Sequence, residues 1–414
     1  MGGFIGYRCS ICQQEYLPDQ VTYVCPQDGG NLDVILDHAG IRKKYDPMDI
    51  TSRANASLWR YLPLLPVTDP GGNGTPLKMA GWTPVYKPER LARDLGVSAL
   101  WIKDESRNPT ASFKDRASAV VVARARQINA QMVVTSSSGN AGAALAGMAA
   151  AIGQPATVFV PKAAPSAKVA QLLVYGAQVF LVDGNYDAAY ELSQQAANEF
   201  GWYCRNTGYN PFTLEGKKTA AFEIWEMVMA DLPEGTTLSI FVSVGDGNII
   251  AGLHKGFKDL QTLGWLDQMP RIYGIQAENS AAIANAFQNH TENIEAVQAA
   301  TVADSISVDF PRDGVRALRA ATQTGGAYLT VTDAEIIAAI AGLGPHGIFA
   351  EPAGAAAFAG YRKALSTGVI SPESPALVIN TGSGLKDVRA AMQAVALAPI
   401  VAPDLHALKK VLGY

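Results

Sequence analysis

The 414-residue chain is short of charge and of cysteine. Charged residues make up 17% of it, against about 25% in an average soluble domain. A long chain with so little charge can bury large cores, which excludes global disorder. The formal net charge of -4 argues against nucleic-acid binding through an overall basic field. Four cysteines are too few for a disulfide framework in a chain of this length.

A secretion signal and a long hydrophobic run are also missing. The first nine residues lack the basic-then-apolar order of a signal peptide. The longest apolar stretch, residues 141–160, consists mostly of Ala and Gly and is broken by Gly153 and Pro155. It is therefore predicted to be a buried helix, a turn and a strand. We expect a cytoplasmic protein with neither a membrane nor a nucleic acid as partner.

Three of the four cysteines crowd into the first 25 residues. Cys9-Ser-Ile-Cys12 is followed, after twelve residues, by Cys25-Pro-Gln-Asp28-Gly-Gly. This is the spacing of a zinc ribbon with Asp28 at the fourth ligand position. A site of three thiolates and one carboxylate is unusual, so two interpretations stay open. Either the four residues bind Zn²⁺, or the ribbon has lost its metal and survives by packing.

The rest of the chain alternates strand and helix patterns, which predicts parallel sheets with helices on their faces. In such α/β folds ligands bind at the carboxyl ends of strands, so the loops there are the places to look for chemistry. The predicted strands are 133–135, 156–161, 178–183, 202–205, 238–244, 271–277, 327–331 and 376–379.

Four units are predicted along the chain. A zinc-ribbon-like module occupies residues 1–40, and residues 41–110 form a connector and the start of the large domain. A small α/β domain follows at 111–215, and a large α/β domain with C-terminal helices at 216–414. The stretch from Asp37 to Gly74 carries the Pro and Gly residues expected of a connector.

The first chemically suggestive loop contains Lys114, beside Phe113, at the start of a helix predicted from about Asp115. Burial and the positive potential of a helix N-terminus both disfavour the ammonium form and lower the pKa. An amine tuned in this way can form a Schiff base. The alternative is an ordinary solvated lysine.

Two more loops are suited to anions. Residues 136–142, Ser-Ser-Ser-Gly-Asn-Ala-Gly, join a strand to a helix and offer hydroxyl and backbone N–H groups to a carboxylate. In Val244-Gly-Asp-Gly-Asn248 the glycines let backbone N–H groups approach a phosphate. The second loop lacks the GxGxxG of a dinucleotide site and the GK[ST] of a P-loop. A Ser N-cap and a common Gly turn are the alternatives.

The fourth loop, residues 380–387, places the neutral hydroxyl of Thr381 after the last predicted strand, where a simple helix cap is the alternative. Together the loops supply an amine, a carboxylate site, a phosphate site and a hydroxyl, each after a separate strand. Pyridoxal 5′-phosphate (PLP) needs this combination.

The motifs resemble those of the threonine synthase family, within the fold-type-II PLP enzymes. The resemblance runs from about Trp59 to Ala390, with the motifs in family order. Some family members also carry an N-terminal extension similar to the degenerate ribbon. The matching segments are Asn108–Arg116 (NPTASFKDR), 137–140 (SSGN), 214–219 (LEGKKT), 245–249 (GDGNI), 351–356 (EPAGAA) and 381–387 (TGSGLKD).

The resemblance implies two doubly wound α/β domains of PLP fold type II behind a small degenerate zinc-ribbon-like module. It implies that Lys114 binds the cofactor as a Schiff base and then shuttles protons, while Asn140 bonds the phenolic oxygen. Thr381 would face the pyridine nitrogen, and Phe113 would pack beside the ring. The implied phosphate ligands are Gly245, Asp246, Gly247, Asn248 and Ile249, and those of the substrate carboxylate are Ser137, Ser138 and Gly139.

The implied activity is that of a lyase converting O-phosphohomoserine and water to threonine and phosphate. A hydroxyl facing the pyridine nitrogen weakens the electron sink, which suits elimination better than transamination. The family's homodimer is implied as well. Two departures, Ala141 in place of Thr and the 303–313 segment in place of Gly-Asn-Pro, bear on the substrate.

Two other functions stay open: a PLP-dependent dehydratase or β-replacement enzyme acting on a related amino acid, and a non-enzymatic PLP- or amino-acid-binding regulator. Retention of Lys114 and all four loops argues against the regulator. A phosphorylated substrate also needs cations and hydroxyls nearby. The candidates are Lys168, Lys218, Arg116 and Ser166, each with a solvated helix position as its alternative.

Overall fold

A computed structural model describes residues 3–414. The N-terminal module is a three-stranded antiparallel sheet with its first strand in the centre. Its strands are β1 (Phe4–Cys9), β2 (Glu15–Tyr16) and β3 (Leu32–Leu36). Alternate residues of β3 are buried, so one face of this sheet packs against the body of the protein.

The body contains ten more strands and sixteen helices in the described residues. The strands are β4 (Val85–Tyr86), β5 (Leu100–Asp104), β6 (Val133–Ser136), β7 (Ala156–Pro161), β8 (Gln178–Val182), β9 (Tyr203–Cys204), β10 (Ser239–Ser243), β11 (Arg271–Ala277), β12 (Tyr328–Val331) and β13 (Ala376–Asn380). The helices are α1 (His38–Lys44), α2 (Pro47–Thr51), α3 (Glu89–Leu95), α4 (Lys114–Gln127), α5 (Asn140–Ala150), α6 (Ser166–Val174), α7 (Tyr186–Phe200), α8 (Phe212–Lys217), α9 (Thr219–Met227), α10 (Asn248–Thr262), α11 (Ala282–Gln288), α12 (Gly314–Thr322), α13 (Asp333–Leu343), α14 (Pro352–Ser366), α15 (Val388–Gln393) and α16 (Leu405–Leu412). Short 3₁₀ turns span Leu58–Leu64, Pro76–Met79, Glu105–Arg107, Met229–Asp231, Glu278–Ser280, Asp304–Ile306, Gly344–His346 and Gly384–Lys386.

The smaller sheet of the body has four parallel strands in the order β8-β7-β6-β9. Its central strands β6 and β7 are buried along almost their whole length. Such continuous apolar strands occur where helices cover both faces of a parallel sheet. The larger sheet has the order β12-β11-β10-β13-β5-β4, parallel throughout except for the edge strand β4. The predicted α/β class is confirmed, while the boundaries at residues 40, 110 and 215 stay predictions.

The segment from Asp37 to Gly74, predicted as a connector, is well ordered and packed. It contains α1, α2 and the 3₁₀ turn Leu58–Leu64. Trp59, Tyr61 and Leu64 are buried in the main core. Pro47 begins α2 and Pro63 lies inside the 3₁₀ turn, so these prolines belong to packed elements and do not make a free linker.

Helix α4 is the central helix of the body and leads from the Lys114 loop into the core. Its run of small and β-branched residues is almost fully buried. The segment that includes Gly216 crosses α4 at backbone distance, because a Cβ at Gly216 would lie 2.1 Å from the Arg116 carbonyl oxygen. This contact sets Lys217 beside the site described below. None of the helices between residues 3 and 414 combines the length and the apolar character needed to cross a bilayer.

Candidate active site

A cleft of about 840 Å³ is lined by loops from both sheets of the body. Its walls include the loops that follow β6, β10 and β13, at the carboxyl ends of parallel strands. Its size is typical of ligand-binding pockets. Of the residues predicted to act, it brings together Lys114, Ser137, Ser138, Gly139, Asn140, Gly245, Asp246, Gly247, Asn248, Ile249 and Thr381.

Lys114 is the first residue of α4, and the loop before it is tied to the Thr381 loop. The backbone N–H of Phe113 donates to the Thr381 carbonyl oxygen at 2.9 Å. Ser112 and Gly382 form an antiparallel bridge, and Ala111 adopts φ +64°. A non-glycine residue in this region carries strain that the surrounding contacts must hold. The strained turn therefore fixes where the Lys114 side chain enters the cleft.

The pKa of Lys114 is lowered from its ordinary value. Burial is the main cause, and the nearby positive charge of Arg205 lowers the pKa further, while Glu351 opposes both. A lowered pKa increases the fraction of neutral amine, which is the nucleophilic form.

The loop between β10 and α10 forms a cradle that only glycine permits. Gly247 has φ +89°. A Cβ at Gly245 would lie 2.8 Å from Ile306 Cα, and one at Gly247 would lie 2.6 Å from Ala317 Cβ. The loop leads directly into the N-terminus of α10, a 15-residue helix. The backbone N–H groups of the loop and the positive potential of the helix N-terminus both favour the binding of a phosphate there.

Two buried cations that the sequence did not single out, Lys217 and Arg205, also line the cleft. Lys217 Nζ donates to Asn248 Oδ1 at 2.6 Å, and burial lowers its pKa well below the ordinary value. Burial lowers the pKa of Arg205 to about 10. Its buried Nη2 has no partner among residues 3–414. Under-neutralised cations beside the loop fit a phosphate dianion.

Asn140 and Glu351 join the loops on the opposite wall. Asn140 Nδ2 donates to both carboxylate oxygens of Glu351, at 2.9 and 3.0 Å. The Glu351 backbone N–H donates to the Gly382 carbonyl oxygen at 3.0 Å. Burial raises the pKa of Glu351, although the Asn140 bond and Lys114 partly oppose the shift. The family segment at 351–356 had been recognised, but no role was predicted for its glutamate.

The serine loop folds back on the start of α5. A Cβ at Gly142 would lie 2.1 Å from the Ser137 carbonyl oxygen, so glycine is required for this close approach. Ser137 Oγ accepts from the Gly139 N–H at 3.2 Å. The Ser136 hydroxyl is buried in the cleft wall with no partner in the described part of the chain. These polar groups and the helix N-terminus suit a carboxylate.

Lys168 lies in a recess next to the cleft, together with Lys386. Ser138 and Gly139 line this recess as well as the cleft. Lys168 Nζ pairs with Asp304 at 2.7 Å, and Lys386 Nζ donates to a glutamine oxygen at 3.0 Å. Burial lowers the pKa of Lys386, and the positive charge of Lys168 adds to the shift. Asp304, Glu351 and Asp387 also line the recess, so the two cations can bind a second anion there once Asp304 releases Lys168.

Three predicted positions differ in the structure. Phe113 is completely buried beneath the Arg116 guanidinium and is absent from the cleft lining. Arg116 and Lys218 are neither solvated nor at the site. Both are buried in ion pairs, Arg116 with Glu105 and Lys218 with Asp259. Their partners lie on other elements, which a local reading of a helix start does not reveal.

The family described as "Pyridoxal-phosphate dependent enzyme" matches residues 77–382. Over 408 residues the chain is 36% identical to the threonine synthase of Methanocaldococcus jannaschii, covering 98% of each chain. The chain belongs to the threonine synthase family. The threonine synthase of Methanosarcina acetivorans is also 36% identical, over 97% of each chain.

Solved structures of other enzymes have the same fold as this chain. The processed form of threonine deaminase isoform 2 from Solanum lycopersicum has a TM-score of 0.67 at 21% identity, covering 83% of this chain and 94% of the other. Maize serine racemase has a TM-score of 0.62 at 21% identity, covering 80% of this chain and 91% of the other. These likenesses place the chain in PLP fold type II.

The groups that line the cleft match those that PLP, the cofactor of the family, needs for binding. Lys114 would supply the amine, and the glycine cradle would supply the phosphate site. Arg205 and Lys217 would supply positive charge, since no carboxylate among residues 3–414 lies at hydrogen-bond distance from them. The sequence predicted the first two features, and only the folded chain brings the two cations to the loop.

Proposed function

We propose that this protein is a threonine synthase, which converts O-phosphohomoserine and water to L-threonine and phosphate with PLP as cofactor. The observation that carries the proposal is a second anion site. The glycine cradle accounts for the phosphate of the cofactor, and the recess of Lys168 and Lys386 offers a place for the phosphate of the substrate. The threonine synthases at 36% identity over the whole chain support it.

In the proposed reaction PLP supplies the electron sink. Lys114 holds the cofactor through its amine and then moves protons at the substrate carbons. Burial lowers the pKa of Lys114, so a larger fraction of its amine is neutral than in an exposed lysine, as this role requires. Glu351 faces the same space and has a raised pKa, so it keeps a proton more readily than an exposed carboxyl group.

The substrate carboxylate is proposed to bind at Ser137, Ser138 and Gly139, at the N-terminus of α5. Thr381, at the end of β13, is proposed to face the pyridine nitrogen with a neutral hydroxyl. Asn140 is proposed to bond the phenolic oxygen of the cofactor. Asn140 Nδ2 also lies 2.9 and 3.0 Å from the two Glu351 carboxylate oxygens, so the cofactor and Glu351 would share the two protons of this amide.

The leaving phosphate is proposed to bind between Lys168 and Lys386. Burial disfavours the ammonium form of Lys386 and lowers its pKa, and the positive charge of Lys168 adds to this penalty, while Asp115 and Glu351 oppose it. A phosphate between them removes this penalty, so the recess binds the phosphorylated substrate in preference to threonine or serine.

The test is to incubate purified, PLP-loaded protein with O-phosphohomoserine and to quantify phosphate and threonine in the same tube. Equal amounts of the two are expected, and none from Lys114→Ala. Formation of a keto acid and ammonia, with no phosphate release, would move the assignment to the dehydratase alternative. Ala141 and the 303–313 segment would then be the first positions to exchange.

Two further predictions, on cellular location and on oligomeric state, accompany the proposal. The cytoplasmic location predicted from the sequence stays a prediction. The homodimer implied by the family is likewise proposed, and light scattering of the purified protein during gel filtration tests it. A monomer mass would contradict the homodimer and leave the proposed reaction unaffected.

A further inference from the structure

Four potential metal ligands converge in the N-terminal module, outside the cleft. Cys9, Cys12, Cys25 and Asp28 each offer one ligand atom, and these atoms all lie within 4.8 Å of one another. Cys9 is the last residue of β1 and Cys12 lies in the turn after it, while Cys25 and Asp28 lie in the segment before β3. The residue set is three soft thiolate donors and one carboxylate, a combination that suits Zn²⁺ and not Mg²⁺ or Ca²⁺.

The distances within the cluster match a tetrahedron around zinc. Cys12 Sγ and Cys25 Sγ are 3.7 Å apart. A disulfide would bring them to about 2.05 Å. Two thiolates on one tetrahedral Zn²⁺, each at about 2.3 Å from the ion, lie about 3.8 Å apart. Cys9 Sγ is 3.3 and 3.5 Å from the two Asp28 oxygens, close to the edge of about 3.5 Å expected for a thiolate and a carboxylate.

Groups around the cluster form hydrogen bonds with its sulfur atoms. The Ile11 N–H donates to Cys9 Sγ at 3.3 Å. The Tyr16 hydroxyl lies 3.1 Å from Cys25 Sγ, within hydrogen-bond distance. Outer contacts of this kind orient metal ligands and stabilise thiolates.

The turn that carries Asp28 brings its carboxylate close to the cysteine sulfur atoms. Gly29 adopts φ +70°, and the Gly30 N–H donates to Asp28 Oδ1 at 2.8 Å. A Cβ at Gly30 would lie 2.8 Å from Cys9 Sγ and 2.9 Å from Asp28 Oδ1. The glycine pair therefore lets the carboxylate approach the thiols closely.

We propose that Cys9, Cys12, Cys25 and Asp28 bind one structural Zn²⁺ ion. This ion holds the module against the loop between β10 and α10, called the phosphate loop below, which forms the glycine cradle of the cleft. All four protein ligands are supplied by the module, so the coordination sphere is closed, as in structural zinc sites.

Two ion pairs and one hydrogen bond in series link the module to the phosphate loop. Asp33 of β3 pairs with Arg316 at 2.8 Å. The same guanidinium donates to Asp313 at 2.9 Å, and Asp313 accepts from Asn248 Nδ2 at 2.6 Å. Asn248 is the first residue of α10 and lines the phosphate cradle. Arg316 is thus a positioning residue that connects the zinc module with the cofactor site.

The first experiment measures zinc in the full-length, PLP-loaded protein after incubation with one equivalent of ZnCl₂ and gel filtration in metal-free buffer. About one Zn²⁺ per chain is expected by mass spectrometry, and close to none in Cys12→Ser/Cys25→Ser. Cys204→Ser changes the one cysteine outside the cluster and should keep the ion. A zinc-free wild type, or equal zinc in the double variant, would overturn the proposal.

The second experiment tests Asp28, whose exposure allows substitution without disturbing a core. Tetrahedral Co²⁺ replaces Zn²⁺ and reports its ligands through visible absorption. Asp28→Cys should shift the Co²⁺ bands toward those of a four-thiolate site. Asp28→Asn should weaken metal affinity at least about tenfold. Unchanged spectra and affinity in both variants would exclude Asp28 as a ligand.

The third experiment tests the link to the cleft. Removal of zinc from the wild type by a chelator should raise the Kd for PLP several-fold, because the Asp33–Arg316 contact loosens. The chelator should have no effect on the Kd of Cys12→Ser/Cys25→Ser. An unchanged Kd after zinc loss from the wild type would overturn the link between the module and the phosphate loop.

Discussion

Lys114 and Arg116 lie two residues apart on α4, yet their surroundings are opposite. Arg116 is fully buried and donates hydrogen bonds to the carboxylates of Glu105 and Glu223. Lys103 Nζ lies 2.8 Å from a carboxylate oxygen of Glu223. Two cations and two carboxylates thus balance. Lys114 opens into the cleft, which also holds the basic groups Arg205 and Lys217 and the acidic groups Asp246 and Glu351.

The acidic residues show the same contrast. Arg116 and Lys103 lower the pKa of Glu223 to about 2, against the effect of burial. In the cleft, burial raises the pKa of both Glu351 and Asp246. The difference teaches how to separate the two uses of buried charge in this chain. The protein itself balances the buried charge of Arg116, whereas the buried Nη2 of Arg205 in the cleft has no partner among residues 3–414.

The sharpest test of this contrast is Lys114→Ala. Turnover should fall by at least about 10³-fold, because the amine that holds the cofactor and moves protons is gone. The free energy of unfolding of the cofactor-free protein should change by less than about 1 kcal/mol, because no ion pair is broken. Steady-state kinetics and urea denaturation measure the two effects. A large loss of stability would show that Lys114 also serves the fold.

Arg116→Met should produce the reverse pattern. Removing the guanidinium leaves Glu105 and Glu223 buried and short of a cation, at a cost of about 3–5 kcal/mol in the free energy of unfolding. Arg90→Met is the matched control, because Arg90 forms an exposed pair with Asp94 and its removal should cost less than about 1 kcal/mol. Equal effects of the two substitutions would contradict the contrast.

A smaller effect is expected from Lys386→Met, which removes one cation of the proposed phosphate recess. The KM for O-phosphohomoserine should rise about tenfold, the equivalent of about 1.4 kcal/mol, with the Kd for PLP unchanged. Lys409→Met, on the exposed helix α16, is the control and should leave KM as it is. If KM and the PLP Kd rise together, Lys386 serves the cofactor site as a whole.

The smallest predicted effect is the pH dependence of stability introduced by Glu351. Its folded-state pKa is raised above its unfolded value, so its stabilising contribution is fully present at low pH. The contribution is lost as pH rises through the folded-state pKa. Stability of the wild type relative to Glu351→Gln should therefore fall from a pH near 4.5, the ordinary pKa of glutamate, to a pH well above it. Urea denaturation of both proteins at the two pH values measures this, and a rise would contradict the raised pKa.

Local patterns predicted much of this molecule. The strand 271–277 is found with the predicted bounds, and α4 begins within one residue of the predicted start. Parallel strands buried on both faces have continuous apolar sequences that are visible without tertiary information. The loops after such strands then collect at one edge, which is why Lys114 and Thr381 meet.

Long-range pairing was not predictable from the sequence. Arg116 looks like any helix-start cation until Glu223, more than a hundred residues away, is placed against it. Lys217 and Arg205 come to the cleft through the crossing of α8 over α4 and through the short strand β9. The packed segment around Trp59 was missed for the same reason, since its Pro and Gly residues are typical of loops while its partners lie elsewhere.

The order of strands in the large sheet also bears on how the protein is made. Strand β13 is the last in sequence, yet it lies between β10 and β5 in the middle of the sheet. The small sheet, residues 133–204, is contiguous and can form early on the ribosome. The large sheet stays divided until residues 376–380 leave the exit tunnel and insert. Because Thr381 follows β13 directly, the loop that carries it can take its place in the cleft only after this strand has inserted between β10 and β5.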